Sequence, residues 1–496
     1  MRLSLATVGL AALIAAGVLA APAFAAPRTD VNIGLVLEPP NLDPTTGGAA
    51  AAIREVTYQN IYEGLTRIDS RGETQPDLAK SWDISPDGLT YTFHLQTGVK
   101  FQDGTPFSAD DVKFSLDRAR GPKSTTAQPQ LFASIQSVDV VDPATVKITL
   151  KHPDGDFLYN MGWGDAVIVS PKTAATDATN PVGTGPYKFV DWVKGDHIDL
   201  ARNPDYWGTA PKLDKATFKF ISDPTAATSA LLAGDIDAFP EFPAPESLGQ
   251  IKADPRFQVI VGSTEGETVM AMNLAHKPLD NILVREAIAH AIDRKAIIDG
   301  AQFGYGTPIG TFFPPDNPAY VDLTAQSNFD PDKSKQLLKQ AGVSNLTLTL
   351  KLPPPPYARN GGQIIQQELA NVGITVNIVN VEWAQWLQDV FTKKDYDLSI
   401  VSHVEPNDFG VFARDGYYFN YHSDAYKKII ATLNVTTDPA KRTALKQDAQ
   451  RQLANDYAAI FLFELADITV ANKDLKGLWA NAPTPAVDLS EVSWAQ

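Results

Sequence analysis

Apolar and polar residues alternate along "LTYTFHLQ" from Leu89, which predicts a strand with one buried face. The glycine-bearing stretch "TGVKFQDGTPF" then reads as a turn-rich connection through Gly98 and Gly104, after which the period changes. In "SADDVKFSLDRA", Val112, Leu116 and Ala119 share one helical face, Ser108 is placed as the N-cap, and Asp110 and Asp111 sit in the first turn where the macrodipole favours anions. Further on, "LTLTLKL" from Leu346, "GQIIQQELANVG" from Gly362 and "ITVNIVNV" from Ile374 form a β-α-β succession with Gly373 at the helix end. The segments from Asn281 to Ile298 and from Asp332 to Gly342 predict two more amphipathic helices. The texture is mixed α/β, with a parallel-sheet unit in the second half.

A chain of 496 residues that is 44% hydrophobic exceeds one domain at about 100–200 residues each, so two or three lobes are expected. Residues 1–25 open with Arg2, run through ~17 apolar residues and reach "AFA" at Ala23 to Ala25, the pattern of a cleaved secretory signal rather than of a membrane anchor. With no cysteine, disulfides, thiolate metal sites and a lipid-anchored cysteine are excluded. The net charge of −16 argues against nucleic acid and anionic membrane surfaces as partners. These features predict an exported, freely diffusing protein.

Catalytic signatures are missing: the sequence has no nucleophile elbow, no zinc-protease helix motif and no phosphate loop. The seven histidines are scattered, without the spacing that puts two on one helix face, so no metal site and no cofactor are expected. "GTGPY" at Gly183 to Tyr187 reads as a tight structural turn, since Pro186 removes a donor that a phosphate cradle would use.

Several stretches together carry a resemblance. "GLTYTFHLQTGVKFQDGTPFSADDVKFSLDR", "VGTGPYKFVDW", "RNPDYWG", "LLAGDIDA", "VREAIAHAIDRKAI" and "FDPDKSKQLLKQAG" occur in an order similar to that of the family 5 solute-binding proteins of ABC importers. That group includes dipeptide, oligopeptide, glutathione and nickel-chelate binders. The resemblance implies a bilobed periplasmic-binding-protein fold: two mixed-sheet lobes, a hinge of two chain crossings and an extra subdomain in the amino-terminal lobe. The lobes would comprise residues 26–268, with the subdomain at about 52–175, and residues 269–467, with 468–496 returning to the first. It further implies a monomer without enzymatic activity that captures a small solute and hands it to a membrane permease. A peptide or cationic amine is favoured, with an opine, oligosaccharide or metal chelate as the alternative. An exported hydrolase using Glu405 and Asp408 as paired carboxylates is a remote alternative.

The segment "SHVEPNDFGVFARDGYYFNYH", Ser402 to His422, concentrates acids, histidines and aromatic rings without helix or strand periodicity. It is either a ligand-holding loop or a long loop whose rings pack onto the domain's own core. Aligned with the dipeptide binders of the family from Glu382 and Trp383, it has Glu405 where an aspartate holds the ligand's amino terminus, while Ser402 replaces a tryptophan. The family's carboxylate-binding arginine is replaced by Pro355, with Arg359 as a possible substitute. The resulting candidate binding residues are Glu405, Asp408, His403, Tyr417, Tyr418, Tyr357, Arg359, Trp383 and Glu38, with Tyr421 a further ring beside them.

Overall fold

The computed structural model describes residues 28–46, 51–404 and 408–495, so the expected leader and Glu405 lie outside the described residues. The alternating stretch forms strand Thr90–Leu95, with Tyr91, Phe93 and Leu95 buried. It pairs antiparallel with Ala79–Ile84 and Thr145–Leu150 in a separate four-stranded sheet. Helix Ala109–Arg120 closes this unit's own core through Val112, Leu116 and Ala119. Its start is fixed by a reciprocal cap: the Ser108 hydroxyl accepts from the Asp110 amide, and the Ser108 amide donates to Asp111 Oδ2 at 2.8 Å.

The β-α-β unit comprises Leu346–Leu352, Pro356–Asn371 and Ile374–Asn380, with the two strands parallel. Its helix begins earlier than the apolar periodicity suggests, because Pro356 supplies a preset first helical position. The helix expected from Asn281 to Ile298 is instead two, Ile282–His290 and Arg294–Ala301. The break has a local cause: Asp293 accepts from the amides of Lys295 and Ala296, starting a new helix where the apolar period alone continues through.

Eleven of the described strands belong to one large sheet. At its middle, the strands Phe257–Met272 and Ile460–Asn472 lie antiparallel and carry the chain between the two lobes. On one side of them, strand Leu398–His403 joins the sheet to the β-α-β unit; on the other, Ala238–Phe239 leads to Asp30–Leu35 and the sheet of the first lobe. The crossing ladder shifts register between Ser263 and Glu267, a bulge that bends and twists the ribbon there. Around it the carboxy-terminal segment is tied down: Thr264 Oγ1 donates to Leu465 O at 2.8 Å, and the Ala482 amide donates to Ser263 O at 2.9 Å. Gly262 permits this closeness, because a Cβ there would collide with the Ala480 carbonyl. "GTGPY" is likewise a packing turn: a Cβ on Gly183 or Gly185 would strike the backbone of Asn60 and Ile61.

Candidate functional site

A cavity of about 750 Å³ lies between the lobes and reaches the crossing strands. This falls within the range of small-molecule pockets, about 300–1,000 Å³. The first lobe contributes Arg54, Trp163 and Glu241; the second contributes Phe303, Tyr357 and Val404; the crossing ribbon and its neighbours contribute Glu265, Asp467 and Thr484. Arg54 is oriented by an ion pair from Nη1 to Asp165 Oδ2 at 3.0 Å and lies over the Trp163 ring.

The cavity walls carry more acid than base. Removal from water, reinforced by Glu241, pushes the Asp467 carboxyl up to about 7. The same burial, reinforced by Asp316, brings Glu265 to about 7. Desolvation raises Glu241 as well, although the residue keeps exposed surface. Asp467 is 6% exposed and Thr484 is 3% exposed, yet Asp467 Oδ1 and Thr484 Oγ1 have no hydrogen-bond partner among the described residues. Buried polar atoms are nearly always satisfied in folded proteins, so a cavity lined by these two residues is suited to a polar, cation-bearing solute.

The residues singled out from sequence fall into three groups. Tyr357 lines the cavity, and its hydroxyl accepts from the Ser402 amide at 3.1 Å, which anchors the start of its helix to strand Leu398–His403. Burial raises its phenol above the ordinary value. His403, Asp408 and Tyr418 are brought together inside the second lobe: Nδ1–H of His403 donates to Asp408 Oδ2 at 2.6 Å, leaving Nε2 to accept from the Tyr418 hydroxyl at 2.9 Å. Tyr417 packs against Phe391, Tyr418 and Phe419 beside that network. Phe409, Phe412, Tyr418, Phe419 and Tyr421 all belong to the second lobe's core, so the aromatic segment packs its rings inward.

Arg359, Trp383 and Glu38 are not among the cavity's lining residues. Arg359 bonds Val381 O and Glu382 Oε1, each at 3.3 Å. Trp383 is 46% exposed and stacks on Trp386 with ring centroids 5.0 Å apart. Glu38 Oε1 accepts from Trp192 Nε1 and the Gly195 amide, at 3.0 and 3.1 Å, and so fastens a hairpin of the first lobe.

Arg54, Trp163, Glu241, Glu265, Asp467 and Thr484 are not among the candidates that the sequence singles out. A signal was present for Asp467: it lies, with Glu464, inside the largely apolar strand "IFLFELADITVAN", and an acid at such a position demands an explanation. Glu241 stands among prolines in "FPEFPAPE", a stiff turn carrying a carboxylate.

Residues 73–425 match the bacterial extracellular solute-binding proteins, family 5 Middle. The chain is 31% identical to the glutathione-binding protein GsiB of Salmonella typhi, over 96% of this chain and 95% of that one. Among solved structures, it is similar to the ABC transporter-associated periplasmic binding protein DppA of Helicobacter pylori in complex with the peptide STSA. That match has 28% identity and a TM-score of 0.79, covering 95% of this chain and 99% of the other. It is also similar to NikZ of Campylobacter jejuni in complex with Ni(L-His), with 26% identity and a TM-score of 0.78 over 94% and 100% of the two chains.

Proposed function

The chain belongs to the bacterial extracellular solute-binding proteins of family 5, the receptors of ABC importers, and on that premise we propose that it captures a peptide-like or amine-bearing solute in the periplasm. The observation that carries this reading is the acid-lined cavity between the lobes, with Glu241, Glu265 and Asp467 on its walls. A positively charged nitrogen gains charge-assisted hydrogen bonds there, and closure of the lobes removes them from competing water. The relatives support the same class, since GsiB is a glutathione-binding protein and DppA holds a peptide. Export rests on the leader-like residues 1–25, and delivery to a permease follows from the importer context. The protein acts as a monomer that binds and releases its solute unchanged.

The test is mass spectrometry of small molecules released by denaturing the purified protein, followed by calorimetric titration of each candidate. Recovery and rebinding of an amine- or peptide-bearing solute supports the reading. A purely anionic solute bound with higher affinity than any amine overturns the amine preference.

A further inference from the structure

We infer that a side cavity opening off the main one is a subsite for an aliphatic chain ending in a positively charged nitrogen. This deepens the receptor reading and rests on it. The side cavity measures about 210 Å³ and shares Glu241, Asp467, Ala482 and Thr484 with the main cavity. That is less than the roughly 300 Å³ at which small-molecule pockets begin, so it accommodates one branch of a solute rather than the whole.

Its walls and its charges lie in different parts of the chain. Leu35 and Val36, at the end of strand Asp30–Leu35, and Val487 of the carboxy-terminal segment supply apolar surface. Glu55, from helix Ala51–Thr57, joins Glu241 and Asp467 to supply three carboxyls. A lysine-like or arginine-like branch has matching parts: a stem of about four methylenes that favours apolar surface, and a head that seeks carboxylates.

Three further observations point to an occupant. Asp467 and Thr484 line both cavities, and their buried Oδ1 and Oγ1 atoms have no hydrogen-bond partner among the described residues. Arg54, whose charge acts on Glu55, has its Nη1 committed to Asp165. Glu241 has a backbone φ of +49°, a left-handed conformation that residues with side chains seldom adopt, at the junction of the two cavities. An acid held in such a conformation beside the buried carboxyls of Glu55 and Asp467 disfavours the empty fold, and a bound cation compensates for the repulsion.

The probes are L-alanyl-L-lysine, L-alanyl-L-norleucine, which keeps the stem but lacks the charged end, and 1,5-diaminopentane. They are titrated calorimetrically into the full mature chain and into its Glu55→Gln and Asp467→Asn variants, with melting curves to confirm that each variant folds. The lysyl peptide is expected to bind roughly 10- to 100-fold more tightly than the norleucyl peptide, and either substitution should remove most of that ratio. Equal affinity for the two peptides, or a ratio untouched in both folded variants, overturns the subsite and leaves the receptor reading standing. Failure of all three probes to bind also overturns the subsite. The receptor reading falls separately, if denaturation releases no solute and no peptide, amine or opine binds.

Discussion

Arg442 of helix Pro439–Asp456 donates through Nη2 to the carboxylate of Asp156, 286 positions away, linking the second lobe to the unit built on the four-stranded sheet. The neighbouring Gly155 amide donates to Asn434 O at 3.3 Å, so the two parts of the molecule touch away from the crossing strands. Replacing Asp156→Asn removes this charge pair while Arg442 keeps its bonds to Leu433 O and Thr436 O, both 2.9 Å. The lobes should then separate more readily, raising the unliganded radius of gyration in small-angle scattering and weakening solute binding roughly 3- to 10-fold. Gly155→Ala should act in the same direction sterically, because its Cβ would meet the Arg442 guanidinium and the Thr436 carbonyl.

The buried acids make stability depend on pH in the opposite sense to a salt-bridged carboxylate. Burial, together with Glu241, brings Glu55 to about 8, opposed by Arg54, and Asp467 to about 7. Burial, together with Asp316, brings Glu464 to about 8 and Glu265 to about 7, the latter opposed by Lys446. An unfolded carboxyl titrates near 4, so these groups add stability that is complete below about pH 4 and is lost as pH rises through 7 to 8. The melting temperature of the unliganded protein should therefore fall between pH 5 and 8, and Asp467→Asn should flatten the slope. A cationic solute should raise the melting temperature more at pH 8 than at pH 5, which differential scanning calorimetry at the two values checks.

His403 and Tyr357 should separate fold from function. His403→Ala leaves Asp408 and Tyr418 without their shared partner inside the core, so stability should drop by about 3–5 kcal/mol in chemical denaturation. Tyr357→Ala opens the cavity wall instead and should cost solute affinity with a smaller change in stability. The reverse pattern would move His403 into the binding site and Tyr357 out of it.

Glu405 follows Val404, which lines the cavity, and the sequence resemblance implies that it takes the family's amine-anchoring position. If it pairs with the solute's amine, Glu405→Gln should cost ~1.5–3 kcal/mol of binding, roughly 10- to 150-fold, with the melting curve nearly unchanged. Titration of the recovered solute into wild type and variant decides it.

The elements with a clear local period were legible in sequence. Strand Leu346–Leu352 and helix Ala109–Arg120 follow from alternation, capping and one apolar stripe. Asp293 was harder, because a helix restart and a helical polar position look alike until the side chain is seen to accept from its own backbone. The ring-rich segment looked equally suited to holding a ligand and to filling a core, since aromatic surface serves both; Phe412 stacked on Phe419 at 4.6 Å shows where those two rings went. The cavity acids were least legible. Glu55, Glu241 and Asp467 come from three distant stretches, and only the assembled fold makes them neighbours.

Strand Ile460–Asn472, last in chain order of the described strands of the large sheet, sits near its middle, between Phe257–Met272 and Ala238–Phe239. A chain that emerges amino terminus first, from a ribosome or through a translocation pore, must hold the two halves of this sheet unjoined until this strand arrives. Pairing over such sequence separations is slow, so the nascent molecule stays open and threadable for most of its synthesis. Truncation before Ile460 would not trim an edge but would leave two part-sheets with unpaired flanks, each inclined to join another chain.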